Sequence, residues 1–89
     1  MTHLSYDQLT EKLKQATACV TVGAEYLHYK HPDEPYTVTG LAIMEDNDEV
    51  AVLYRSEHGV TFVRPLSSWC ADVTWEGKKT ARFTKGGSQ

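Results

Sequence analysis

No apolar run in the sequence approaches the roughly twenty residues that a membrane helix requires, so no bilayer span is expected. The opening Met-Thr-His-Leu-Ser has neither the basic nor the apolar segment of a secretory signal, and a soluble, cytoplasmic protein is the expectation. Positive charge is in deficit: nine Lys and Arg stand against twelve Asp and Glu, a net charge of −3. A duplex DNA binder carries the opposite surplus, so nucleic acid is not an expected partner. Cysteine is scarce as well. Cys19 and Cys70 are too far apart for a CxxC redox or zinc half-site, and two reduced, buried small hydrophobes are expected rather than a disulfide.

Catalytic and metal signatures are equally thin. Gly86-Gly87 is not a phosphate loop, because it stands at a tail and not between a strand and a helix. Ser67-Ser68 has no histidine and aspartate near it to make a hydrolase triad. Asp46, Asp48 and Glu49 lack the glycine and the distal glutamate of a calcium loop. His28, His31 and His58 are the histidines of the domain body, and in a regular strand His28 and His31 point to opposite faces. No metal, cofactor or catalytic set is therefore expected.

What is present is one small domain of 89 residues, 40% hydrophobic, enough for a single compact core. Residues 1–22 read as a helical extension. Ser5 is placed to cap a helix reaching Val20, with Gln8 three residues on completing a capping box. Leu9, Leu13, Ala16 and Val20 recur at helical spacing in a thin apolar stripe. Gly23 then breaks the helix, and residues 23–84 read as short antiparallel strands.

The first strand covers about Ala24–His31 and ends at the loop His31-Pro32-Asp33-Glu34-Pro35. A second covers Tyr36–Met44, and its inward positions change parity at Gly40, the mark of a bulge. Strands over Glu49–Ser56 and Val60–Arg64 follow, joined at His58-Gly59. Pro65 stops the last of these. A helical turn from Leu66 to Ala71, capped by Ser67 or Ser68, precedes a strand at Asp72–Trp75 and a returning arm at Thr80–Thr84. Residues 85–89 read as a flexible tail. The fold class is mainly β: a small SH3-like antiparallel barrel with an N-terminal α-helix.

Gly23, Tyr26, His28-Tyr29-Lys30, Leu53-Tyr54-Arg55, Phe62-Val63-Arg64-Pro65-Leu66, Trp69 and a final Gly77…Arg82-Phe83 occur in that order. The set resembles a family of small bacterial domains of unknown function with an HYK…LYR…VRPL…W pattern, and the likeness covers about Val22 to Thr84. It implies a small β fold and no activity. The helix and the proline-bearing loop depart from the pattern.

Six residues form the candidate ligand site: Tyr26, His28, Lys30, Tyr54, Arg64 and Trp69. Alternation puts Tyr26, His28 and Lys30 on one strand face. Mixed rings and cations can stack a planar group and neutralise its charge, which suits a binding module for a small anionic or aromatic ligand, or a peptide. Each residue has a plainer role too. His28 can tie two strands together, Arg64 can brace an internal carboxylate or backbone carbonyl, and Trp69 can seal the barrel. Three rival functions stand beside binding: an enzyme with His28 as general base, a single-strand nucleic-acid platform using Tyr26 and Trp69, and a protein-interaction module. The thin helix stripe also leads us to expect a homodimer, through the helix or an open strand edge.

Overall fold

The computed structural model describes residues 4–86. Helix α1, Tyr6–Ala16, starts where the capping box places it: the Gln8 N–H donates to Ser5 Oγ, and the Ser5 N–H donates to Gln8 Oε1 at 2.9 Å. It ends four residues short of Val20 because the chain tightens there. The N–H groups of Thr17 and Ala18 donate three residues back, to Lys14 and Gln15, and the Thr17 hydroxyl also donates to the Lys14 carbonyl. Val20 is nevertheless buried beyond the helix end.

Four strands follow as a meander: β1 Glu25–His28, β2 His31–Met44, β3 Glu49–Arg55 and β4 Thr61–Pro65. A short helix, α2 Leu66–Trp69, leads to β5 Asp72–Trp75, β6 Lys78–Ala81 and β7 Phe83–Lys85. The main sheet has five antiparallel strands in the order β4-β3-β2-β1-β7, and β5 and β6 pair as a separate ribbon. The domain is therefore mainly β with an N-terminal helix. The closed SH3-like barrel is not formed, because β5 and β6 leave the sheet and no strand among the described residues joins β4 to β7.

Several local expectations change. The first turn lies at Tyr29-Lys30, and His31 begins β2 directly opposite His28. Between the pairs Tyr26–Tyr36 and His28–His31, Leu27 alone faces Pro32-Asp33-Glu34-Pro35, which arch out of register where a proline has no ladder bond to lose. The bulge expected at Gly40 is present, between Val38 and Gly40. The returning arm splits at Arg82: β6 stays with β5, while β7 crosses to pair with β1. Lys85, expected in the tail, pairs with Tyr26, and the Gly86 N–H donates to the Glu25 carbonyl; residues 87–89 of that tail lie outside the described residues. Pro65 rather than a serine precedes α2, and no side chain caps it.

The core cluster joins Val20, Tyr26, Val38, Val52, Tyr54, Trp69 and Phe83. Helix α1 packs on β2 and β3 of its own sheet. The Leu4 N–H and the Lys12 ammonium both donate to Asp48 in the β2–β3 turn. Of the apolar stripe, Ala16 and Val20 are buried within the chain and Leu9 and Leu13 are half-buried. Cys19 and Cys70 are joined by a disulfide and both are exposed, so the expectation of two buried thiols is corrected. The physical reason is placement: the end of α1 and the cap of α2 meet at the surface. No helix among the described residues is long and apolar enough to cross a membrane.

Candidate ligand-binding site

Two residues of turn between β1 and β2 set up the site. His28 and His31 become cross-strand partners, partners share a face, and their rings stack with centroids 5.7 Å apart. The same turn aims the Lys30 N–H at His28 Nδ1, at 3.1 Å. That acceptor role assigns the neutral imidazole its proton on Nε2. Burial, then the positive charges of Arg64, His31, Arg82 and Lys30, push the His28 pKa down to about 4. His28 is uncharged at neutral pH.

β4 supplies the facing wall. Register sets Phe62 beside Tyr54 and Arg64 beside Val52, so Phe62 and Arg64 share the core-side face of the sheet. The Tyr54 and Phe62 rings stack at 5.6 Å, and Tyr36 meets Tyr54 edge-on at 5.4 Å. Burial, then the Glu34 carboxylate, raises the Tyr36 pKa, so its hydroxyl keeps its proton. β7 brings Phe83 opposite His28, and α2 stacks Trp69 on Phe83 with centroids 3.8 Å apart.

Arg64 is the charged centre of this arrangement. Its guanidinium carbon lies 5.4 Å from the centre of the Phe83 ring, and Nη1 donates to Ser68 Oγ at 2.9 Å. Nε is buried without a partner, and no carboxylate among the described residues pairs with the group. Together His28, His31, Tyr36, Tyr54, Phe62, Arg64 and Phe83 line a concavity of about 290 Å³. A larger one, about 440 Å³, lies between the start of α1 and the β2–β3 turn. The acids Glu45 and Asp48 line it and no Lys or Arg does, so it offers no cation comparable to Arg64.

Of the six residues picked from sequence, His28, Tyr54 and Arg64 converge on the concavity. Tyr26 and Trp69 lie beneath it, only 4% and 3% exposed. Tyr26 Oη accepts from the Thr21 N–H at 2.9 Å, and its ring meets Trp69 edge-on. Neither ring has a free face for a nucleobase, so a stacking platform built on them has no surface to use. Lys30 is exposed at the turn, with its ammonium 5.8 Å from the centre of the Tyr29 ring. Sequence reasoning passed over His31, Tyr36, Phe62 and Phe83. A Tyr-Lys turn in place of the proline loop would have revealed His31; nothing local marks Phe83, whose strand partner lies fifty-five residues earlier.

Among the described residues, no group of three or more His, Cys, Asp or Glu gathers that could hold a metal ion. The arrangement suits stacking and anion pairing: rings and one arginine lining the concavity, and a neutral histidine able to donate from Nε2.

Comparison with known proteins places the chain in a family. A solved structure from Bordetella bronchiseptica, described as a protein belonging to DUF1653, aligns with a TM-score of 0.63 and 29% identity, covering 73% of this chain and 86% of that one. No curated protein matches. The family model described as protein of unknown function (DUF1653) matches residues 24–85, from Ala24 at the start of the sheet to the end of β7. The chain belongs to the DUF1653 family.

Proposed function

We propose that the domain is a noncatalytic binding module whose concavity takes a flat group carrying a negative charge, on a small molecule or on a peptide. One observation carries the reading: Arg64 is held against the Phe83 ring, and no carboxylate among the described residues pairs with it. A partly buried cation with no counter-charge loses hydration without full return. A ligand carboxylate restores that balance, and Phe62, Tyr36 and Tyr54 offer rings beside it.

His28 argues for binding over catalysis. With a pKa of about 4 it is a weak proton acceptor at neutral pH, far from the value a general base needs there. Its role is to donate from Nε2 to a bound oxygen.

The test is a two-dimensional NMR titration with benzoate, with benzamide as the uncharged control. Benzoate should shift the signals of His28, Phe62, Arg64 and Phe83, and Arg64→Gln should weaken it by about tenfold. Equal binding of benzamide and benzoate, or no shifts at millimolar concentration, refutes the proposal.

A further inference from the structure

We propose that the free edge of β4 takes an extended peptide as an added strand, and that a carboxylate of that peptide pairs with Arg64. The second half rests on the binding reading above; the first stands on the backbone.

β4 ends the five-stranded sheet. The Ser56 N–H donates to the Val60 carbonyl at 2.9 Å, which makes Ser56–Val60 a hydrogen-bonded pair. Antiparallel pairs alternate, so Tyr54–Phe62 and Val52–Arg64 are bonded in turn. Thr61 and Val63 therefore direct their N–H and C=O groups away from β3, toward the open side. Pro65, opposite Ala51, falls at the same outward parity. Its missing N–H takes nothing from the ladder and closes the edge at that end.

Exposed edges are usually blunted by lysines, inward charges or bulges. Here the register is regular from Arg55–Thr61 to Ala51–Pro65, and the approach is apolar: Val60, Phe62 and Val63 are 50%, 43% and 60% exposed. The single charge on β4 is Arg64, and its side chain shares the concavity face with Phe62. A residue on an added strand directly across from Arg64 sits at cross-strand distance, about 5 Å between Cβ atoms, within reach of the guanidinium.

Charge selects the occupant. β4 reads Thr-Phe-Val-Arg-Pro and contains no acid, so pairing two copies edge to edge adds a second unneutralised arginine to one sheet face. An extended peptide carrying a carboxylate, from a side chain or from its own C-terminus, supplies the complement.

The probe is acetyl-Thr-Val-Glu-Val-Thr-amide, with three relatives: a glutamine analogue, an analogue ending in a free carboxylate after valine, and one N-methylated at alternate residues. Exchange of the Thr61 and Val63 amide protons, followed by NMR, is the readout. The glutamate or free-carboxylate peptide should slow both amides and shift Arg64. Glutamine should weaken binding by about tenfold, and N-methylation should abolish it. Val63→Pro, which removes an outward N–H and no β3 bond, should lose the peptide yet still bind benzoate. If that variant does not fold, the N-methylated peptide makes the same test on the unaltered protein.

Benzoate binding without slowed exchange at Thr61 and Val63 refutes strand addition and leaves the concavity reading standing. Failure of both probes refutes both. Slowed exchange that rises with protein concentration in the absence of peptide, with a two-chain mass by light scattering, assigns the edge to a second copy and overturns the proposal.

Discussion

Acidification should destabilise this domain through His28, by an amount the structure sets. Burial of the imidazole, then the charges of Arg64, His31, Arg82 and Lys30, lower its pKa from 6.5 to about 4. Between those values the unfolded chain binds the proton and the folded chain does not. Stability is therefore complete above the unfolded value and declines as pH falls toward the folded one. A separation of ~2.5 at ~1.36 kcal/mol per pKa unit sets a ceiling of ~3.4 kcal/mol. The ring is only partly enclosed, and solvent screening reduces the expected loss to about 1–2 kcal/mol. Urea unfolding should be followed by tryptophan fluorescence at intervals from about pH 8 down to about pH 4, for the natural protein and for His28→Asn. Asparagine keeps an acceptor near the Nδ1 position and has no proton to gain, while both proteins share the same carboxylates. The difference between their pH profiles isolates the histidine. Superimposable profiles, or an NMR titration of His28 with a midpoint near 6.5, would refute the reasoning.

Three further outcomes follow from packing and covalent structure. Replacing Cys19 and Cys70 by serine removes a link between residues 51 apart, and chain entropy sets the expected loss at about 4 kcal/mol; an unchanged urea midpoint would deny the link any constraint on the unfolded chain. Trp69→Ala takes a ring that is 3% exposed from its stack on Phe83 and should cost about 3–5 kcal/mol by chemical denaturation; a loss below about 1 kcal/mol would return Trp69 to the ligand. Ser5→Ala removes the side-chain half of the capping box, leaving the backbone N–H of residue 5 to donate to Gln8, and should cost about 1 kcal/mol; no measurable change would mean that this remaining bond and the contacts of Leu4 and Lys12 with Asp48 hold the helix start.

The elements legible in the sequence were those governed by neighbours in the chain. The capping box at Ser5 and Gln8, the bulge at Gly40 and the stop at Pro65 each follow from one or two residues and their local geometry. The first turn was misplaced because two prolines look like loop residues. In the sheet they occupy an out-of-register arch where no amide is missed, and Tyr29-Lys30, which has no glycine to advertise it, makes the turn. The disulfide and the place of Phe83 depend on where distant segments meet, and no local pattern encodes that. The same holds for the site. Arg64 and His28 were visible as cations and rings among apolar residues, but the burial of Tyr26 and Trp69 beneath them is a fact of packing.

The crossing of β7 to β1 has a consequence for the order in which the molecule is assembled. β1 to β4 are joined by short connections and can zip as successive hairpins, whereas the Phe83–His28 pair closes a loop of more than fifty residues. On a ribosome, β7 is also the last strand to emerge. We therefore expect the meander to form before the binding surface does, because Phe83, which carries the Arg64 guanidinium and the Trp69 stack, arrives last. A chain stopped at Arg82 would hold most of its sheet and bind nothing, and benzoate titration of that truncation against the full chain measures it. Ligand binding then reports completion of the fold itself.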